Sequence, residues 1–572
     1  MNIFCYTDLA IPNELNVDQV FHLNALWGKN DQLSALKFTN IERRDFFSAK
    51  RKNNKEIIEI FTKSIDLYIS FFNELFQTNF SSRFYEILIS KPLIEIVTSF
   101  YYVKRDIEYL RDIYGSLGHC NISYLDIEYQ DISTSEDLHD FVSSRSGAQF
   151  MFQFIISRDE SFLLLKNNFI EIENLHILKT EINKFKLQLQ CLIFSFLNIR
   201  GNSKDSIFFD SNVGISKTII SNFFKNTLFY RDVSINNKFQ NINIYYKRLG
   251  ENYYNLLDPV LIDLLNILFP KVYFIPPSEY TSLFNSYRLP FRINKIYSFN
   301  VFASYLISLY KAVNVEKGAK LYYIQHGGGY KIHEFLIHEY LERKTSDFFI
   351  SAGNSDSIEL KYSSRLLKFN YHKKKAKVLH WKSKNIVSVQ LLDNYYHEYI
   401  PISDVSSKLM TKYIERIEDL IKLSGMRNLN FVLKFQLYPH ILSFDYCNHF
   451  KVKYDNFHFW KKGTKSSKVY CNSDLVIFTY LSTGILELVD LNRPFILFLD
   501  SNLGYNNDFN KFISKFRELN VLFYDVTSLL DFLESTNISK WFYSKNVQDI
   551  IRKFSELYVR SNELNDVKCL YE

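Results

Sequence analysis

From about residue 318 onward, short runs rich in β-branched and aromatic residues alternate with stretches of helical period, and this alternation restricts the fold more than any other feature of the sequence. "KLYYIQ" and "DFFISAG" read as strands on either side of a helix holding "HEFLIHEYLERK", and the basic "FNYHKKKAKVLHWKSKN" reads as a linker. The alternation then resumes: strand "IVSVQLL", helix "SKLMTKYIERIEDLIKLSG", strands "NFVLKFQLY" and "DLVIFTYL", helix "STGILELVDL", strand "FILFLD", a helix near Phe509 to Leu519 and strand "VLFYD". Strand and helix in turn predict a parallel sheet covered on both faces, so the second half is α/β and Rossmann-like. The first half offers a helix with one apolar face at Ile57, Phe61, Ile65, Tyr68, Phe72 and Leu75, and a second helix from Pro92 to Leu110. Residues 120 to 300 mix short apolar runs with Asn- and Ser-rich connections and give no finer assignment.

A chain of 572 residues exceeds one ordinary core, so two large domains are expected. Apolar residues at 47 % are enough to bury both. The 53 Phe and 40 Tyr are spread along the whole length, which reads as compositional bias rather than a stacking surface, and the net charge of +7 is a small surplus. A nucleic-acid partner is therefore not expected. The six cysteines lie far apart without a CxxC pair, so neither a zinc ribbon nor a disulfide scaffold is implied, and reduced thiols in the cytoplasm are the preferred reading. "MNIFCYTDLAIPNEL" lacks the pattern of a secretory signal, and the most apolar stretch, residues 256–275, is interrupted by Asp258, Pro259, Asp263, Pro270 and Lys271. The expected location is cytoplasmic, either free or peripheral at the inner face of the membrane.

Open parallel sheets bind ligands beyond the carboxyl ends of their strands, and three such ends are unusual here. After "LYYI" come Gln325, His326 and then Gly327, Gly328 and Gly329, although glycine is scarce in this chain. Glycines allow positive φ or close approach of a ligand. His326 then suits a general base, because an imidazole titrates near neutrality; the other reading is a histidine that only shapes a tight turn. "HEFLIHE" is not a zinc-protease motif, since His333 and His338 are five apart and point about 140° away from each other on a helix. Glu334 and His338, like His338 and Glu342, have the spacing of ordinary surface pairs, or of an acid that orients an imidazole.

The second end is "KFQLYPHIL", where Pro439 stops the ladder and Lys434, Tyr438 and His440 could reach a phosphate. The third is "TYLSTGILELVDL", which puts Ser482, Thr483 and Gly484 where a strand passes into a helix. A helix N-terminus with hydroxyls beside it suits a phosphate. Ser and Thr are also the usual N-caps of any helix, and capping is the commoner use. Glu487, one turn inside, reads either as a ribose acceptor or as a solvated helix residue. No acidic pattern such as DxD marks a metal site, so neither metal nor cofactor is expected.

Together "QHGGGY…E…HE…SDFFISAG", "LYPHILSFDY" and "TYLSTGILELVDLNRP" resemble a family of bacterial surface-polysaccharide transferases. "FNELFQTNFSSRFYEILISKPLIEIVTSFYYVKRD" resembles that family's N-terminal segment, with Phe76 in place of a His, Phe84-Tyr85 in place of Tyr-Trp, and Ser351-Ala352-Gly353-Asn354 in place of a Trp-Gly-Trp run. The layout is more distantly similar to GT-B transferases that use CMP-Kdo, CMP-sialic acid or CDP-glycerol. The resemblance implies a GT-B-like α/β fold of two Rossmann-like domains facing a central cleft, with extra helices in the first. Residues 1–365 would form the acceptor-side domain and residues 366–572 the nucleotide-sugar-binding domain. It implies His326 as the catalytic base and Tyr438, Pro439, Ser482 and Thr483 at the donor phosphate; the site expected here adds Glu334 to catalysis and Gln325, Gly327, Gly328, Gly484 and Glu487 to donor binding. The implied partners are a nucleotide-sugar donor, CMP-linked by preference, and a glycan or lipid-linked glycan acceptor. A CDP-alcohol-dependent polyol-phosphate transferase and a non-catalytic assembly protein are the alternatives.

Overall fold

The computed structural model describes residues 2–5, 19–22, 38–40, 50–113, 121–124, 132–142, 145–158, 164–166, 206–210, 227–231, 244, 247–250, 253–287, 289–290, 292–325, 327, 329–333, 336–353, 365–369, 386–391, 407–427, 429, 431–435, 454, 457–461, 464–501 and 505–560. The chain divides into two compact units, one of Met1–Asn212, Asn226–Tyr322 and Tyr396–Lys408, the other of Val213–Lys225, Tyr323–Tyr395 and Leu409–Glu572.

The first part of the chain contains β1 (Asn2–Cys5), β2 (Gln19–His22), β3 (Phe38–Asn40), α1 (Lys50–Phe76), α2 (Ser82–Ile113), β4 (Asn121–Tyr124), α3 (Ser135–Val142), α4 (Arg145–Ile156), β5 (Leu164–Lys166), β6 (Ser206–Asp210), β7 (Thr227–Arg231), α5 (Pro259–Leu268), α6 (Tyr280–Ser286), β8 (Lys295–Ser298), α7 (Tyr305–Glu316) and β9 (Lys320–Ile324). A parallel five-stranded sheet runs β3-β2-β1-β4-β5, with helices between its third and fourth strands in the chain. The sequence gives no warning of this sheet.

The apolar face of α1 is where the spacing places it, with Ile57, Phe61, Ile65, Tyr68 and Phe72 buried. Their rings form an aromatic core, in which Tyr68 stacks on Phe269 at 4.4 Å and Phe72 on Tyr85 at 6.0 Å. The second helix starts well ahead of its expected beginning, so Pro92 lies inside α2. Proline there removes a backbone bond and costs about 3 kcal/mol. Leu88, Ile89, Leu93, Ile94, Ile96 and Val97 around it are buried, and at about 1.5–3 kcal/mol each their burial outweighs that cost. The "FN…S" pattern before α2 is turn chemistry. Asn73 Oδ1 accepts from Thr78 Oγ1 (2.9 Å), Phe80 N (3.0 Å) and Tyr85 Oη (2.9 Å), while Ser81 Oγ caps Phe84 N at 3.2 Å.

His139 on α3 meets the buried carboxylate of Glu95 on α2, Nδ1 to Oε1, at 2.8 Å. Burial pulls the imidazole down, but the Glu95 charge and hydrogen bond outweigh it, with Asp140 helping and Lys91 opposing, and the net shift is upward from 6.5. A raised folded value means stability that is fully present below 6.5 and is lost as pH rises through the folded value. Asp140, whose carboxyl burial also raises, titrates from a much lower ordinary value of 3.8. Denaturant midpoints are therefore expected to fall as pH rises above 6.5 in the native protein and to be flatter there in His139→Gln. Equal slopes in the two proteins over that window would refute the assignment.

The rest of the chain contains α8 (Ile337–Thr345), β10 (Phe348–Ala352), β11 (Arg365–Phe369), β12 (Val387–Leu391), α9 (Ser407–Met426), β13 (Phe431–Phe435), β14 (Phe457–Phe459), α10 (Ser466–Asn472), β15 (Leu475–Phe478), α11 (Thr483–Leu491), β16 (Phe495–Phe498), α12 (Asn507–Glu518), β17 (Leu522–Phe523), α13 (Val526–Ser535), α14 (Ile538–Phe542) and α15 (Lys545–Tyr558). A second sheet runs β11-β10-β9-β8-β6-β7, and a third β14-β13-β12-β15-β16-β17. Every pairing described in the third is parallel. The expected α/β class of Rossmann-like sheets is thus present. Helix α8 begins four residues after His333, Phe369 of the expected linker belongs to β11, and β14 and α10 were not anticipated; residues 370–385 lie outside the described residues.

The helices on one face of the third sheet share a core that includes Phe478, Ile485, Leu488, Phe509, Phe554 and Tyr558. At the end of β10, Gly353 has φ +68, and a Cβ on it would stand 2.3 Å from the Leu557 carbonyl oxygen of α15. Among the described residues no helix is long and apolar enough to cross a membrane; the apolar α5 is spent on the interior, with Leu261, Ile262, Leu264, Leu265 and Leu268 all buried.

Candidate functional site

In the third sheet the chain lays β12, β13 and β14 in one direction and then returns to add β15, β16 and β17 on the other side of β12. Strand order therefore reverses between β12 and β15. At such a reversal the crossovers leave in opposite directions and open a crevice at the carboxyl ends of the strands.

The end of β15 is fixed by a chain of hydroxyls. Thr479 Oγ1 donates to the Gln390 carbonyl at 2.7 Å, and Tyr413 Oη on α9 lies 2.6 Å from Thr479 Oγ1. Three residues on, Ser482 is the N-cap of α11: its Oγ accepts from Gly484 N at 3.1 Å, and its carbonyl accepts from Ile485 N at 3.1 Å. The capping use of Ser482 is therefore real. The neighbouring Thr483 N–H and half-buried Thr483 hydroxyl have no hydrogen-bond partner among the described residues. Gly484 is glycine because α11 lies close on the sheet: a Cβ there would meet Tyr470 Oη at 2.1 Å and the Phe478 ring at 2.9 Å. Glu487 sits half-buried one turn along.

Beside this edge Arg416 on α9 donates to the Phe498 and Leu499 carbonyls at 3.3 and 2.9 Å and lies over the Phe498 ring at 4.4 Å. Its Nη1 is 3.6 Å from Asp500. Burial lowers the guanidinium's pKa, and Asp500 opposes that.

The glycine loop after β9 has a structural explanation for much of its composition. Gln325 is buried, with Oε1 accepting from Ser351 Oγ (2.9 Å) and Ala352 N (3.0 Å) and Nε2 donating to the Gly327 carbonyl (3.0 Å). It ties β9 to β10 and closes the turn. A Cβ on Gly327 would lie 3.3 Å from the Tyr330 ring, and one on Gly329 2.6 Å from the His333 ring, so both glycines make room for rings that follow them. Lys331 then takes φ +60, a strained choice for a residue other than glycine. It is buried, its Nζ donating to the Ala352 carbonyl at 3.0 Å and its N–H to Glu339 Oε2 at 3.0 Å.

His338 and Glu342 are not an ordinary surface pair, because Glu342 is buried and accepts from Tyr330 Oη at 2.9 Å. Glu339 is likewise buried, 3.5 Å from Arg343. The face of α8 that reads as charged surface is buried, with Glu339, Glu342 and Arg343 all inside. Burial and Glu342 hold the Tyr330 phenol well above its ordinary range.

Of the expected site residues, Ser482, Thr483, Gly484 and Glu487 come together on one turn of α11, and Gln325 and Gly327 lie at the end of β9 in another sheet. His326, Gly328, Glu334, Tyr438 and Pro439 lie outside the described residues, as does His440. The two groups are linked through Ile332, which shares a core with Phe478 and Ile485. Next to it His333 forms an antiparallel bridge with Tyr505, and Asn506 bonds to the Ile332 carbonyl at 2.9 Å and, through its side chain, to the Lys331 carbonyl. Gln390, Tyr413, Thr479 and Arg416 were missed. Gln390 left a signal, a long polar residue within the apolar run "IVSVQLL"; Tyr413 and Arg416 read as parts of a regular helix pattern.

A parallel α/β chain with a helix N-terminus at a strand-order reversal has the build of a group-transfer enzyme. The chain belongs to the LIC12162 family transferases, which match it over residues 24–570. No curated protein matches it. Among solved structures it is similar to Acinetobacter baumannii MurG (10 % identity, 67 % of this chain and 94 % of that one, TM-score 0.32). It is also similar to a variant of the wall teichoic acid polymerase TagF (14 %, 68 % and 96 %, 0.33) and to Anabaena HepE in complex with UDP and glucose (10 %, 64 % and 97 %, 0.32).

Proposed function

We propose that the protein is a nucleotide-sugar-dependent glycosyltransferase that holds the donor's phosphate at the first turn of α11. The observation that carries this is the unspent pair of Thr483 donors at a helix N-terminus beside the reversal between β12 and β15. Unpaired N–H groups and the positive end of the helix dipole stabilise the charge that accumulates on a departing phosphate. The preferred donor is a CMP-activated ulosonic acid, the acceptor a cell-surface glycan or its lipid-linked precursor, and the place of work the cytoplasm or the inner face of the membrane. In this reading His326, with Glu334 nearby in sequence, takes the proton from the acceptor hydroxyl as that oxygen bonds to the anomeric carbon. The bond between that carbon and the phosphate oxygen breaks, and the nucleotide leaves with the electron pair. Residues 1–365 serve the acceptor and residues 366–572 the donor, with Tyr438 and Pro439 beside the phosphate and Glu487 at the ribose.

The test is a thermal-shift panel of CMP, CDP, UDP and GDP, because a ligand that binds only the folded state raises the midpoint by mass action. CMP is expected to give the largest shift, and no shift with any of the four would overturn the donor reading. Thr483→Ala is expected to weaken nucleotide binding about ten-fold or more at an unchanged apo midpoint, as for loss of a hydrogen bond to a charged group. Ser482→Ala is the less clean variant, since it also removes a cap worth about 1 kcal/mol. Unchanged affinity in Thr483→Ala would move the phosphate away from α11. Release of CMP with a sugar transferred fits this reading; transfer of a polyol phosphate would mark a CDP-alcohol enzyme instead.

A further inference from the structure

Strand β12 is central in a parallel sheet and covered on both faces, a position normally filled by Val, Ile and Leu. Its two polar residues therefore call for a reason. Ser388 has one, since its Oγ lies 2.7 Å from Ser473 Oγ and accepts from Trp460 Nε1 at 2.9 Å. Gln390, two residues on, faces the same side and stands one step nearer the carboxyl end. Its residue is 3 % exposed, and its amide nitrogen is buried with no hydrogen-bond partner among the described residues. An unpaired donor in the interior is costly, so such a group is kept where something else meets it.

The register says what lies beside it. Gln390 pairs with Phe478 of β15, and Phe478 is the ring that a Cβ on Gly484 would touch at 2.9 Å. The orphan amide thus shares a sheet face, and a neighbouring side chain, with the first turn of α11. Its carbonyl is already held by Thr479, which fixes the backbone that carries it.

We infer that the Gln390 amide donates to a phosphate oxygen of the bound nucleotide, and so positions the donor from the floor of the crevice while α11 holds it from the side. This rests on the donor reading above. A phosphate oxygen is an acceptor only, and the helix dipole favours the same charge at the same place.

Gln390→Met keeps the length and removes the donor. Its apo midpoint is expected to be equal to or above that of the native protein, while the dissociation constant of whichever of CMP, CDP, UDP and GDP binds the native protein rises about ten- to a hundred-fold, the range for a lost bond to a charged group. Gln390→Glu keeps the shape, turns the group into a charged acceptor and is expected to weaken the same nucleotide further; it carries the comparison if the methionine variant folds poorly. An unchanged dissociation constant in either folded variant overturns the role of Gln390 and leaves an internal water as its partner, with the donor reading intact. Failure of all four nucleotides to bind the native protein removes the donor reading itself, and this inference with it.

Discussion

His326→Ala is expected to lower the rate of transfer by about 10²- to 10⁴-fold, the range for loss of a general base, while nucleotide affinity stays within a few-fold of native. The separation follows from sequence position: His326 comes after β9 of the second sheet, and the proposed phosphate contacts begin α11 on the third. A base must be neutral to accept a proton, so the native rate should climb as pH rises from the acid side, and the variant should lose that rise. Nucleotide titration and a pH profile of turnover check both parts. Loss of nucleotide affinity with residual turnover keeping its acid limb would transfer His326 from the proton to the donor.

The second large effect concerns folding. Gly353→Ala is expected to cost about 3 kcal/mol, from a methyl group at φ +68 together with overpacking of a site that cannot yield. The atom met at 2.3 Å is a main-chain oxygen of α15, with the carbon and the next nitrogen at 2.5 and 2.6 Å, so no rotamer change relieves the clash. Either the end of β10 or α15 has to move. The midpoint of thermal unfolding should then fall by about 6–12 °C. A shift under about 1 °C would mean that the two segments are not in contact.

Why some of this was legible and some not comes down to burial pattern. In the second half, "VSVQL", "LVIF" and "FILF" are buried on both faces and bounded by turn residues or caps, so apolar runs and strands coincide. In the first half β1 to β5 are three or four residues each, separated by long and unequal connections, and no periodicity survives at that length. Pro92 misled in the usual direction, since proline normally marks a helix start and here sits in an interior that tertiary burial sustains. The α11 turn was legible because Ser, Thr and Gly between strand and helix have few roles. The burial of Glu339, Glu342 and Arg343 was not, because charges on a short helix look the same whether solvent or another chain segment lies over them.

The tie between the Lys331–His333 segment and Tyr505–Asn506 has a mechanical meaning. Asn506 serves two masters: its Oδ1 caps α12 at Phe509 N, 2.8 Å away, while its Nδ2 and N–H hold the backbone just beyond the glycines. Displacement of that backbone would tug on the cap, and the start of α12 would loosen or tighten in step. Amide exchange at Phe509 and Asn510 then becomes a remote reporter of movement in the Lys331–His333 segment.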